Sequence, residues 1–98
     1  MTHHRIPGPV LVELTGITPL ARFARLADAL AAAWESMRLL PLSNAYYCAF
    51  ELMLVRPSSV DCMAERLAKE GTVAITFMLP DGPHLFHLRP AREEVTAG

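Results

Sequence analysis

The stretch TVAITFMLPDGPHLFHLR, residues 72–89, decides the fold. In Thr72–Leu79 large apolar side chains alternate with smaller or polar ones, which is typical of a strand with one face against a core. The turn Pro80–Gly82 follows, in which proline presets one backbone angle and glycine accepts a positive φ. His84–Arg89 then alternates again. The stretch therefore predicts two antiparallel strands joined by a tight turn.

A helix is expected immediately upstream of this hairpin, over Ser58–Glu70. Ser58, with Asp61 three residues later, resembles a capping box, in which a side-chain oxygen accepts a free backbone N–H of the first turn. Gly71 supplies the left-handed residue that commonly ends a helix. Apolar residues at a spacing of three and four predict the inward face, which consists of Val60, Met63, Ala64 and Leu67.

Ala45–Val55 is nearly continuous in apolar side chains, and we interpret it as a central strand covered on both faces. Alternation along a strand would place Tyr47, Glu51 and Met53 on one face. The bulkier set would lie on the opposite face, against the helices: Tyr46, Cys48, Phe50, Leu52 and Leu54.

The start of the chain predicts one strand and one long helix. Val10–Thr15 alternates, with Leu11 and Glu13 sharing one face. Thr18 followed by a proline suggests a helix N-cap and first helical position, so a helix is predicted over Pro19–Leu39. Its apolar stripe faces the core and its charged residues face solvent.

This order, strand-helix-strand-helix-strand-strand, predicts an α+β domain. We expect a two-layer sandwich in which two helices cover one face of a four-stranded mixed sheet, with strand order 1-2-3-4 and the last strand antiparallel at the edge. The alternative is strand order 2-1-3-4 with one helix on each face. A single domain is expected over residues 9–90, preceded by a flexible arm at 1–8 and followed by a frayed tail at 91–98.

Composition places the chain among globular proteins. It has 98 residues, 52% hydrophobic and 19% charged, with a formal net charge of −1. These values argue against disorder and coiled coil, and they give no electrostatic footprint for nucleic acid. The two cysteines, Cys48 and Cys62, have no secretory context, so we expect a cytoplasmic protein without a membrane span. The abundance of Ala, Leu and Arg fits a bacterial genome rich in GC.

The open face of the predicted sheet is the main functional expectation. A two-layer arrangement leaves one face uncovered, and large apolar patches on small domains commonly mark association sites. We expect a homodimer, the commonest soluble oligomer, acting as a regulatory or accessory protein with a possible protein partner. The edge strand His84–Arg89 would offer backbone groups for strand addition. The predicted interface consists of Leu11, Glu13, Tyr47, Glu51, Met53, Thr76, Met78 and Arg89.

A small-molecule binder or enzyme is the competing hypothesis. Its pocket would lie at the open face, where carboxylates, a phenol and an imidazole could transfer protons in an isomerase-like reaction. A reactive thiol near a helix start is a separate candidate. The candidate catalytic residues are Glu51, Tyr47, Glu13, His87 and Cys62.

The remaining motifs point to no cofactor and no metal. The sequence holds no phosphate loop, dinucleotide fingerprint or paired cysteine motif. His84 and His87 are three apart in a predicted strand and therefore on opposite faces, which disfavours chelation. A DNA-binding regulator using Arg22, Arg25 and Arg38 is a third alternative, although acidic residues interrupt that helix surface.

Overall fold

The computed structural model describes residues 8–91. The predicted α+β class is confirmed, but the order is β-β-α-α-α-β-β, with three helices where two were expected. Residues 1–7 and 92–98, which hold most of the predicted arm and tail, lie outside the described residues. The elements are β1 Val10–Leu14, β2 Thr18–Phe23, α1 Leu26–Met37, α2 Asn44–Leu54, α3 Ser59–Glu70, β3 Val73–Leu79 and β4 Gly82–Pro90.

The four strands form one sheet in the order β2-β1-β4-β3. All pairings of the described strands are antiparallel, so the predicted mixed sheet and the order 1-2-3-4 are wrong. The physical reason is that each end of the domain folds as a hairpin and all the helices lie between the two hairpins. β4 is consequently a central strand, not the predicted edge, and the edges are β2 and β3.

The helices cover one face of this sheet. α1 packs on β1 and β2, and α3 packs on β3. From α2, Phe50 meets Phe77 and Phe86, with ring centroids 5.4 and 6.0 Å apart. The sheet side chains that point to the helices are largely buried, whereas those on the other face are half-buried or exposed. The expected two-layer arrangement with one open face is therefore confirmed.

Residues 18–23 form a strand where the sequence predicted the first turns of a helix. Gly16, with a φ of 75°, lies in the turn that reverses the chain, and the N–H of Ile17 donates to the Leu14 carbonyl at 2.9 Å. Thr18 Oγ1 accepts the N–H of Leu14 at 3.3 Å instead of capping a helix. The helix begins only at Leu26. Pairing with β1 thus satisfies backbone groups that the helix would have satisfied.

Residues 44–54 form helix α2, so the predicted central strand is wrong. Ser43 is the N-cap, and its hydroxyl oxygen accepts the N–H of Tyr46 at 3.2 Å. Phe50 and Leu54, four residues apart, are buried in the core, which is the spacing of one helix face. A continuous apolar run does not distinguish a strand from a buried helix by periodicity. The signal in the sequence that could have distinguished them is Ser43, at the position of a helix cap.

The closing hairpin and α3 lie where the sequence predicted them. Pro80–Asp81 forms a two-residue turn, and Gly82 has a φ of 126°. α3 ends at Gly71, whose φ of 80° is left-handed as expected. The predicted capping box is not formed, because the Ser58 side chain makes no cap hydrogen bond.

Candidate association surface

The open face of the sheet is the surface opposite the helices. Alternation along each strand fixes its members, because residues whose neighbours point into the core must point away from it. In the centre of the sheet, Leu11 of β1 lies opposite Arg89 of β4, and Glu13 lies opposite His87. The open face consists of Leu11, Glu13, Leu20, Arg22, Ala74, Thr76, Met78, Leu85, His87 and Arg89.

The structure brings together six of the sequence-predicted site residues on this face. They come from three strands whose alternation was read correctly, so their grouping follows from the strand register. Met78 is half exposed, at 50%. The six are Leu11, Glu13, Thr76, Met78, His87 and Arg89.

Tyr47, Glu51 and Met53 lie on helix α2 and not on the sheet face. Their predicted position on the open face is wrong because the segment is helical. Tyr47 packs edge-to-face on Trp34 of α1, with ring centroids 5.2 Å apart. Glu51 is half-buried one turn further along the same helix. The pocket proposed over Glu51 and Tyr47 at the sheet face is therefore not present in this arrangement.

Cys62 is exposed on α3, as is Cys48 on α2. Cys62 lines a shallow groove between α2 and α3 together with Arg66 and Met63. Cys48 had been placed in the core by strand alternation, and the helical form of its segment turns it outward. Both cysteines are unpaired thiols.

The two edge strands differ in how well they are protected against pairing with another chain. β2 contains Pro19, which has no N–H, the charged Arg22, and a register shift opposite β1 between Val12 and Leu14. These are the features by which natural edges avoid further pairing. β3, with the sequence VAITFML, contains no charge, no proline and no glycine. It pairs with β4 in unbroken register over all seven residues.

The hydrogen-bond pattern shows which backbone groups of β3 point outward. Thr15 donates its N–H to the Leu85 carbonyl at 3.0 Å. The backbone N–H and C=O groups of odd-numbered residues of β4 therefore point to β1, and those of even-numbered residues point to β3. The register pairs even-numbered residues of β4 with odd-numbered residues of β3, so the odd-numbered residues of β3 form the backbone hydrogen bonds to β4. The N–H and C=O groups of Ala74, Thr76 and Met78 therefore point away from the sheet.

His87 on the open face is held by Thr72. The Thr72 hydroxyl donates to the Leu88 carbonyl at 3.1 Å, and its oxygen lies 3.0 Å from His87 Nε2. Because the hydroxyl proton is used by the carbonyl, His87 Nε2–H is the donor in the second contact. This contact fixes the orientation of the His87 ring on the open face.

At the turn end of the sheet, His84 joins both hairpins. Its Nδ1 lies 2.7 Å from the Thr15 carbonyl oxygen, and its Nε2 lies 2.8 Å from Asp81 Oδ1. The Thr15 carbonyl, and after it the Asp81 carboxylate, raises the pKa of His84 above 6.5, in spite of desolvation. The hydrogen bond from His84 lowers the pKa of Asp81 below 3.8, in spite of desolvation. Sequence reasoning missed this cluster.

Within residues 8–91 no group of three or more His, Cys, Asp or Glu side chains is placed to hold a metal ion. None of the helices in that range is long and apolar enough to cross a membrane. Comparison of the chain with known protein families, curated proteins and solved structures finds no match.

Proposed function

We propose that this protein is a non-enzymatic accessory module that works as a homodimer, joined through the β3 edges of two copies. The observation that carries the proposal is the unprotected edge Val73–Leu79, seven residues without charge, proline or glycine. Exposed strands of this kind pair readily with a further strand, and natural proteins usually block them. A second copy of the same strand satisfies the outward backbone groups without exposing new ones.

The geometry of β3 favours one register for this pairing. In an antiparallel ladder the outward-pointing residues must face each other in hydrogen-bonded pairs. A two-fold axis at Thr76 gives the longest overlap, with Ala74 opposite Met78 of the second copy and Thr76 opposite itself. The ladder would contain about six new backbone hydrogen bonds. Threonine opposite threonine is a favourable cross-strand pair.

The resulting sheet would have eight strands and one continuous open face. Ala74, Thr76 and Met78 would then lie at its centre, and the charged residues Glu13, Arg22 and Arg89 further out on both sides. Such a surface combines an apolar centre with a polar rim, which is the composition of protein-binding surfaces. We propose that this face binds a protein partner, and that the module acts in a reducing compartment such as the cytoplasm, where exposed Cys48 and Cys62 stay reduced.

The experiment is a measurement of molar mass in solution by size exclusion with light scattering, on wild type and two lysine variants. Thr76→Lys places two like charges opposite each other at the proposed axis, which costs about 1–2 kcal/mol, or about tenfold in dissociation constant. Leu20→Lys is the matched control, because Leu20 is an apolar residue of the same face on the opposite edge strand and is 46% exposed.

We expect a wild-type dimer at micromolar concentration, weakened by Thr76→Lys and unchanged by Leu20→Lys. A wild-type monomer would overturn the proposal. Equal weakening by both variants would also overturn the β3 pairing, because it would indicate two copies packed face to face over the whole open surface.

The structure separates the residues of the two competing hypotheses. Glu51 and Tyr47 lie on α2, away from Glu13 and His87 on the open face. Among the arginines, Arg22 lies in β2, while Arg25 and Arg38 flank α1 and are 3.8 and 3.0 Å from the carboxylates of Asp28 and Glu35. No observation on these residues favours catalysis or DNA binding over association.

A further inference from the structure

We propose that His84 is a pH-operated clasp, which ties the β1–β2 turn to the β3–β4 turn while its ring is protonated and frees one of them when the ring loses a proton. The clasp is a property of each single chain and does not depend on the proposed dimer. It connects residues that are 69 positions apart along the chain, Thr15 and His84.

The partners of the ring require both nitrogens to carry protons. The Thr15 carbonyl oxygen can only accept a hydrogen bond, and so can the ionised Asp81 carboxylate. His84 lies 2.7 Å from the first through Nδ1 and 2.8 Å from the second through Nε2. A neutral imidazole has one N–H and one lone pair, so it can keep only one of these bonds. Loss of the proton therefore sets a lone pair against an acceptor and breaks one link.

The ring is enclosed, so that it has little room to turn away. Its side chain is only 10% exposed, and it stacks on Phe77 with ring centroids 5.9 Å apart and an interplanar angle of 26°. A Cβ added at Gly16 would lie 3.2 Å from the ring. This glycine therefore allows the turn to approach the imidazole closely as well as to adopt its positive φ.

Asp81 is the titratable group that faces His84. The groove beside the ring is otherwise lined by Gly16, Ile17, Leu40, Pro41, Leu79 and Pro80, none of which titrates. Behind the ring, Phe77 separates it from the phenol of Tyr46, whose ring centroid lies 6.5 Å from that of Phe77. The charge state of the clasp therefore depends on His84 and Asp81 alone among the residues described around it.

The pH range of the clasp follows from the two shifts. Because the pKa of His84 is raised in the folded protein, the stability that it contributes is fully present below pH 6.5 and is lost as the pH rises through the raised value. Because the pKa of Asp81 is lowered, its contribution is present above pH 3.8 and is lost as the pH falls through the lowered value. The clasp is thus tightest in mildly acidic solution and loosens towards alkaline pH.

Loosening should be felt first in the β1–β2 turn, because a neutral ring keeps its one N–H for the ionised Asp81 carboxylate, the stronger acceptor, and its lone pair then faces the Thr15 carbonyl. The Thr15 hydroxyl oxygen accepts the N–H of Leu85 at 2.8 Å, and the N–H of Ile17 donates to the Leu14 carbonyl at 2.9 Å. Both bonds belong to the segment that His84 holds. When that segment is released, the apolar groove between Ile17, Leu40 and the β3–β4 turn opens.

The test is an NMR titration of the two histidine rings of β4 in the full chain, with His87 as the internal control. Among the described residues His87 is bonded to a side chain through one nitrogen only, that of Thr72, so its ring does not join the two turns. We expect the titration midpoint of His84 to lie above pH 6.5 in wild type. In Asp81→Asn the His84 midpoint should be lower, since an amide supplies no negative charge. Asp81 is exposed, so this variant should fold normally.

A second readout is amide hydrogen exchange at Ile17, taken as a ratio to the exchange of Val73 at each pH, so that the intrinsic effect of pH cancels. We expect this ratio to rise severalfold as the pH passes the His84 midpoint in wild type, and to change less in Asp81→Asn, because an amide can donate to the ring nitrogen that has lost its proton. A His84 midpoint at or below 6.5, or a ratio that stays constant through that midpoint, overturns the clasp.

Discussion

Phe50 holds α2 on the sheet, and its replacement by alanine tests the helical orientation of residues 44–54. The side chain is fully buried and makes edge-to-face contacts with Phe77 and Phe86 at 5.4 and 6.0 Å. A buried Phe→Ala change costs about 3–5 kcal/mol, and each aromatic contact adds about 0.5–1.5 kcal/mol to simple burial. We therefore expect a loss near the upper end of the range, a large part of the 5–15 kcal/mol roughly typical of a small domain.

Leu52→Ala is the matched control on the same helix. Leu52 is 52% exposed, so its truncation should change the free energy of unfolding by less than about 1 kcal/mol. In a strand, Phe50 and Leu52 would share one face, and both changes would be costly. Urea unfolding followed by circular dichroism measures the two variants under identical conditions. Equal losses for Phe50→Ala and Leu52→Ala would refute the helical arrangement and the burial derived from it.

Three further changes test local features of the chain. Ser43→Ala removes the hydroxyl that caps α2 and should lower the free energy of unfolding in urea by about 1 kcal/mol. Ser58→Ala removes no cap hydrogen bond and should lower it by less than about 0.5 kcal/mol. The reverse order would contradict the cap assignment. Gly16→Ala should lower the melting temperature more than Gly71→Ala, because both positions carry the left-handed penalty of about 1–2 kcal/mol but only the first crowds the His84 ring. Raising the pH from 6.5 through the His84 midpoint should lower the melting temperature of wild type, and this decrease should be smaller and end at a lower pH in Asp81→Asn.

Three of the four strands illustrate what local sequence patterns determine. β1, β3 and β4 were predicted because alternation is a property of neighbouring residues, and the turn Pro80–Gly82 carries its own backbone preferences. The same alternation placed Thr76 and His87 correctly on the open face. These features do not depend on how the strands are ordered in the sheet.

The segment before α3 shows where local patterns are insufficient. In a strand, residues four apart share a face, and in a helix they also lie on one side, so Tyr47 and Glu51 were grouped correctly for the wrong reason. Residues two apart distinguish the two structures, and Phe50 and Leu52 differ in burial as a helix requires. Ser43, at the position of a helix cap, is the local feature that favours a helix over the predicted strand.

Strand order and the His84 clasp depend on distant parts of the chain. Reading residues 18–23 as helix removed one hairpin, and reading residues 45–55 as a strand placed a false strand inside the sheet. These two errors together moved β4 from the centre of the sheet to its edge. The unprotected edge was therefore assigned to His84–Arg89 instead of Val73–Leu79. The contact of His84 with Thr15 arises only when β1 and β4 pair, so no local pattern predicts it.

Amide hydrogen exchange along β3, measured as a function of protein concentration, tests the proposed dimer most directly. The inward amides, such as Ile75, are bonded to β4 in one chain and should be protected at every concentration. The outward amides of Ala74, Thr76 and Met78 should become protected as the concentration rises through the dissociation constant. If those three amides exchange rapidly at every concentration while Ile75 stays protected, β3 is a free edge and the two copies do not pair through it.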